Sequence, residues 1–220
     1  MIPKTKPARG ARGFTMVEIL VALGILSIVM VGILRFAIQS LNVYFYDSGR
    51  LMVNKDIRTF TNELADNSVA SNYFRIFPDF QNRTTAVTDG YSGEFLVLIF
   101  ADTSASTGIT TTTRLVGYYR DPVDPNDPTS LGPVRKFDKM IDAADGSSDL
   151  TSLLNNAKYA PVSSAHNNPI VIQLAQGLSD GNLFYDFYDR SIMIRGQIVE
   201  RGNESKSAVN TYNFTVSPRG

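Results

Sequence analysis

The sequence predicts an α+β fold, with one long amino-terminal α-helix packed on an antiparallel β-sheet head. Three observations carry this expectation. A 21-residue apolar run, Phe14–Leu34, follows a short basic segment. No proline occurs from Arg35 to Ala70, where apolar residues recur at helical steps. Beyond Pro78 come short strand-like runs with no long helical pattern between them, so neighbouring strands join through hairpins.

Composition narrows the function. The chain has 220 residues, enough for one domain or two small ones. Its 21 Lys and Arg balance 21 Asp and Glu, which argues against a nucleic-acid partner bound by bulk phosphate neutralisation. The absence of cysteine excludes a disulfide framework, thiolate metal sites and cysteine catalysis. The single histidine, His166, excludes a histidine-rich metal centre and a two-histidine relay. No cofactor is expected. A hydrophobic fraction of 43% is too low for a multi-span membrane protein.

The first element is the apolar run. Residues 1–13, MIPKTKPARGARG, carry Lys4, Lys6, Arg9 and Arg12 and no acid, leaving a formal −4 (17 basic against 21 acidic residues) on the rest. Phe14–Leu34 has one charge, Glu18, and as a helix reaches roughly 30 Å, the thickness of a bilayer's hydrocarbon core. The basic front predicts a cytoplasmic amino terminus and an external carboxyl terminus. The run is too long for a secretory signal peptide, and no small-residue cleavage site follows it. A soluble core helix needs no polybasic front, and a plain signal anchor leaves Glu18 unexplained. An unpaired charge inside a membrane segment is a functional candidate by default.

The stretch GFTMVEILVALGIL, Gly13–Leu26, resembles the class III signal of type IV pilins and type II secretion pseudopilins. The resemblance rests on a basic leader ending in Gly13, then Phe14, then Glu18 at the fifth position of the remaining chain. It implies cleavage between Gly13 and Phe14 by a prepilin peptidase, N-methylation of Phe14, and a role for Glu18 in assembly with other pilin or pseudopilin subunits. Physical chemistry fits the arrangement. A cut before the apolar run keeps the helix as an anchor. The new amine of Phe14 and the carboxylate of Glu18, about 6 Å apart along a helix axis, suit pairing between staggered neighbours.

Helical character continues past Leu34. Leu41, Phe45, Met52, Val53, Ile57, Phe60 and Leu64 form an apolar stripe, and Arg50, Lys55, Asp56, Arg58, Glu63 and Asp66 fit a wetter side. One helix from about Phe14 to about Val69 is expected, rather than two with a break. The Tyr44–Phe45–Tyr46 cluster fits an interfacial belt or core packing, and core packing is preferred. Strands are expected at Glu94–Ala101, Arg114–Arg120, Pro133–Phe137, Pro169–Leu174, Leu183–Asp189, Ser191–Glu200 and Ala208–Val216, and a short helix near Leu150–Ala157. Leu183, Tyr185 and Phe187 alternate with Phe184, Asp186 and Tyr188, which predicts one buried face. Segments 102–113 and 121–130 read as exposed loops. The order FLVLIF, LVGYYRD, GPVRKFD resembles minor pilins or pseudopilins of the PilW/PulJ type.

Other constellations carry less. Asp121, Asp124 and Asp127 in RDPVDPNDP space oxygen ligands at every third position, as a Ca²⁺ site would. Alternating prolines stiffen the segment, and it reads as an acidic surface loop. His166 lies in a polar turn with no nucleophile elbow, so no catalysis is expected. Gly24 and Gly32 share roughly one helix face, a candidate close-contact side.

The expected organisation is a leader at 1–13, a transmembrane half-helix at 14–34, an amphipathic half-helix at 35–70 and a β-rich head at 71–220. The expected function is a structural, non-enzymatic minor pilin or pseudopilin. It sits in the inner membrane with its head in the periplasm, then joins a type IV pilus or type II secretion pseudopilus, at its tip in one version. The alternative is a membrane-anchored periplasmic binding module that never polymerises.

Overall fold

A computed structural model of the chain describes residues 13–88, 90–122, 124, 130, 132–172, 183–201 and 207–218. The fold is α+β, a long amino-terminal helix followed by antiparallel sheets. Helix α1 is continuous over Met16–Ala70, 55 residues, or about 80 Å at the α-helical rise. It starts two residues later than the apolar run because Thr15 caps it (below).

The chain divides into two compact units after Tyr46. In the first, every large apolar side chain from Phe14 to Phe45 is exposed. This corrects the reading of Tyr44–Phe45–Tyr46 as core packing. Tyr44 and Phe45 are 66% and 67% exposed, and touch each other edge-on at 5.9 Å between ring centres. They precede Asp47, where the second unit begins, and both stand exposed among the described residues.

In the second unit the apolar stripe of α1 is covered from Ile57 onward. Phe60 and Leu64 are wholly buried. Each stabilises the packed state by about 1.5–3 kcal/mol relative to exposure. Among the described residues nine strands follow. Strands β1 (Tyr73–Phe77), β3 (Phe95–Thr103), β4 (Thr110–Arg120), β5 (Val134–Met140) and β6 (Ile170–Ile172) form one sheet in the order β1-β3-β4-β5-β6. Strands β2 (Ser92–Gly93), β7 (Phe184–Phe187), β8 (Ser191–Arg201) and β9 (Ser207–Val216) form a second in the order β2-β7-β8-β9. All pairings are antiparallel.

The first sheet is covered on both faces, so β3 is a nearly unbroken apolar run. On one face Leu96, Leu98, Val116 and Tyr118 pack with Phe60 and Leu64 of α1 and with Phe184, Ile192 and Ile194 of the second sheet. On the other, Phe95, Val97, Leu115 and Tyr119 pack with Phe80, Phe137 and, from helix α2 (Leu150–Asn155), Leu153 and Leu154. Polar contacts fix α1 in register on both sheets. Asn67 Nδ2 donates to the Tyr118 hydroxyl at 2.8 Å, Lys136 Nζ reaches Glu63 Oε1 at 2.6 Å, and the Thr61 and Tyr212 hydroxyls lie 2.8 Å apart.

The structure corrects two further expectations. Half of the segment 102–113 is strand: β3 runs through Thr103 and β4 starts at Thr110, pairing Asp102 with Thr111. β-Branched threonines favour the extended backbone, and only Ser104–Ile109 remains as an exposed turn, with Gly108 at φ +66°. In β7 the one buried face expected from the alternation is that of Phe184 and Asp186, and Phe187 is exposed. Tyr188 and Asp189 leave the strand in a turn at positive φ, where Asp186 Oδ1 accepts from the Asp189 amide at 2.9 Å. In 121–130, Asp121 is largely buried rather than exposed, for the reason given below.

Candidate processing and assembly site

The site residues lie at the amino-terminal end of α1. Gly13, Phe14 and Thr15 are outside the helix and exposed. A side chain added at Gly13 would meet no atom within 4 Å. Nothing among the described residues therefore demands a glycine there. Phe14 is 83% exposed.

The sequence Thr15-Met16-Val17-Glu18 forms a capping box, in which the N-cap hydroxyl and the third helical carboxylate satisfy each other's backbone donors. The Thr15 amide donates to Glu18 Oε2 at 2.8 Å, and the Thr15 hydroxyl donates to the same oxygen at 2.9 Å. In return the Glu18 amide donates to Thr15 Oγ1 at 3.3 Å. A helix end leaves its first four amides without intrahelical acceptors, and two such donors are satisfied here without water. A bare charge inside a membrane segment costs about 2.5–3.5 kcal/mol, and these bonds offset part of that cost.

Downstream, the helix surface is apolar all round. Among the described residues α1 is the one helix long and apolar enough to cross a membrane. The hydroxyl of Ser27 is satisfied internally, donating to the Leu23 carbonyl at 2.8 Å, as a lipid environment requires. Gly24 and Gly32 have no atom within 4 Å of an added side chain, so both stand open to close approach.

Of the aspartate series, Asp121 and Asp124 lie among the described residues. Asp121 accepts from Arg135 Nε at 2.5 Å through Oδ2, and His166 Nδ1 lies 2.9 Å from its Oδ1. That pairing is why its side chain is only 11% exposed. Asp124 is exposed and its amide donates to the Ser130 hydroxyl at 2.8 Å. Asp127 lies outside the described residues. No three His, Cys, Asp or Glu side chains gather in a metal-binding group among the described residues. His166 sits on a 3₁₀ turn, Val162–Asn167, and pins that turn to Asp121.

Residues 8–34 match a family model described as the prokaryotic N-terminal methylation motif. The match contains Gly13, Phe14 and Glu18 and covers the apolar run to its end. It supports a class III signal of the type IV pilin kind, in a motif family that is structural rather than enzymatic. No curated protein and no solved structure matches the chain.

Proposed function

We propose that this chain is a minor pilin or pseudopilin, most like the PilW/PulJ type. A prepilin peptidase cuts the precursor between Gly13 and Phe14, and Phe14 is N-methylated. The helix of residues 14–34 holds the subunit in the inner membrane, with the amino terminus cytoplasmic and the head of residues 71–220 in the periplasm. Residues 35–70 carry the helix onto that head. Other pilin-type subunits then take the subunit into a type IV pilus or a type II secretion pseudopilus, which it initiates or caps. Glu18 is the assembly contact, pairing with the amine of a neighbour's Phe14.

The observation that carries this reading is the match over residues 8–34, with a basic leader, Gly13, Phe14 and Glu18 in order ahead of an exposed apolar helix. The remaining chain of 207 residues (220 minus 13) is large for a shaft-forming subunit and supports a minor one.

The test is intact-mass measurement of the membrane-extracted protein from cells with a prepilin peptidase. The expected species starts at methylated Phe14. Gly13→Val accumulates as uncut precursor, because a β-branched side chain crowds the cut. A mature protein still beginning at Met1, or cut beyond Leu34, overturns the reading in favour of the non-polymerising anchored module.

A further inference from the structure

We propose that Arg83 is the centre of a carboxylate-binding site in the head: its guanidinium, held over the Phe80 ring, takes one carboxylate through donors that its own chain leaves unused. Arg83 is 3% exposed, and its Nε and Nη1 are buried with no hydrogen-bond partner among the described residues. Gln81, Asn82, Thr84 and Thr85 around it are all exposed. The wall behind it is fixed. The guanidinium carbon lies 4.8 Å from the centre of the Phe80 ring, and that ring stacks on Tyr119 at 4.0 Å. The Tyr119 hydroxyl is tied to Ala165 and Asn168. Both ends of the loop are pinned as well. The Val87 amide donates to the Ile76 carbonyl and the Glu94 amide to the Pro78 carbonyl, each at 2.8 Å.

The fold turns two nearby acids elsewhere. Asp79, four residues earlier, accepts from the Gln81 and Asn82 amides through Oδ1 and from Asn82 Nδ2 through Oδ2, each at 2.7 Å. Glu94 pairs with Arg120. Burial lowers the pKa of Arg83, and among the described residues no charged neighbour offsets this. A cation over one ring recovers less than its desolvation costs, so the site favours an incoming counter-charge. The ligand class follows from the guanidinium. One positive charge is balanced by one carboxylate, and the planar fork matches two carboxylate oxygens. A phosphate dianion would leave a buried negative charge unbalanced. The acid reaches Nε and Nη1 by local opening of the exposed residues around Arg83.

The experiment uses the full-length protein purified in detergent at neutral pH. Thermal unfolding of the head is followed by near-ultraviolet circular dichroism in sodium acetate and, at matched ionic strength, in sodium phosphate. Arg83→Met keeps the length of the side chain without its charge, and so reports the general salt effect. Arg83→Gln takes its place should Arg83→Met fail to fold. Acetate is expected to raise the parent's midpoint saturably, by about 3–6 °C more than the variant's at ten times the dissociation constant. Phosphate is expected to raise parent and variant equally. An acetate response that is the same in parent and variant overturns the site, and so does a parent-specific response larger with phosphate than with acetate. Under the proposed assembly, a second arm separates a free acid from a carboxylate carried by another subunit: the share of Arg83→Met in the sheared filament fraction of the native host. An unchanged share assigns the site to a free acid, and a loss assigns it to a neighbour's side chain.

Discussion

Gly117 of β4 and Phe137 of β5 face each other directly across the ladder. A side-chain carbon at Gly117 would fall 2.0 Å from Cε1 of that ring, inside the aromatic layer of Phe80, Phe95 and Phe137. The ring fills the space a side chain would take, and its neighbours fix it. Gly117→Ala is therefore expected to cost about 1–3 kcal/mol through overpacking. In a head fragment this size, thermal unfolding should fall by about 2–4 °C per kcal/mol lost, and an unchanged midpoint would mean the ring moves aside freely. Legibility at this scale depends on sequence distance. Gly13, Phe14 and Glu18 lie within six positions and form a local signal that one chain displays. Thr15 was readable by the same logic, as the first residue of a T-x-x-E box before an apolar run, and was passed over. The Asp121–His166 contact was not readable, because a separation of 45 residues closes only through the sheet.

The strands of the first sheet bury two tyrosines with opposite orientations. Tyr119 faces the aromatic layer, and its hydroxyl donates to the Ala165 carbonyl and accepts from Asn168 Nδ2. Burial pushes its pKa up to about 12, although the Asn168 bond opposes the shift. Burial likewise raises Tyr118, which faces α1. A raised pKa means the folded state holds the proton more tightly than the unfolded chain, where tyrosine titrates near ~10. The corresponding stability is fully present below about pH 10 and is lost as pH rises towards the folded values. Chemical denaturation of the head at pH 8 and pH 11 should show lower stability at the higher pH. Tyrosinate absorbance should lag for the buried rings. Equal stability at the two values would show that these hydroxyls are not buried as described.

Most elements were legible because each is set by its own pattern. The long helix, the short helix at Leu150 and strands β3 to β9 fall where periodicity and turn residues put them. Strand β1 was missed because YFRIF abuts the helix with only Ser71 and Asn72 between them. Its extended backbone comes from pairing with β3, with Asn72 Oδ1 accepting from the Ala101 amide at 2.7 Å. Strand β2 is two residues long and carries no periodicity to read. The division of strands between two sheets is tertiary information. It depends on which hairpins meet α1, and no local pattern encodes that choice.

For the whole molecule, the boundary after Tyr46 separates two kinds of surface. The residues before it expose apolar side chains throughout, and those after it carry both cores. A fragment beginning at Asn42 should therefore be soluble and folded, since it keeps Ile57, Phe60 and Leu64 to close the sheet face. Its circular dichroism should combine helix and strand, with a cooperative thermal transition. An almost wholly helical or disordered spectrum would contradict this division of the chain.

The Ser104–Ile109 turn joins the two best-paired strands of the first sheet, and its residues contribute to neither core. A short epitope spliced between Ser106 and Thr107 would leave the ladder below it closed at Thr103 and Thr110. Gold-conjugated antibody against that epitope would then mark single subunits in electron micrographs. Under the proposed assembly into a filament, beads at one end of each fibre, or spaced along its length, would read the subunit's address directly.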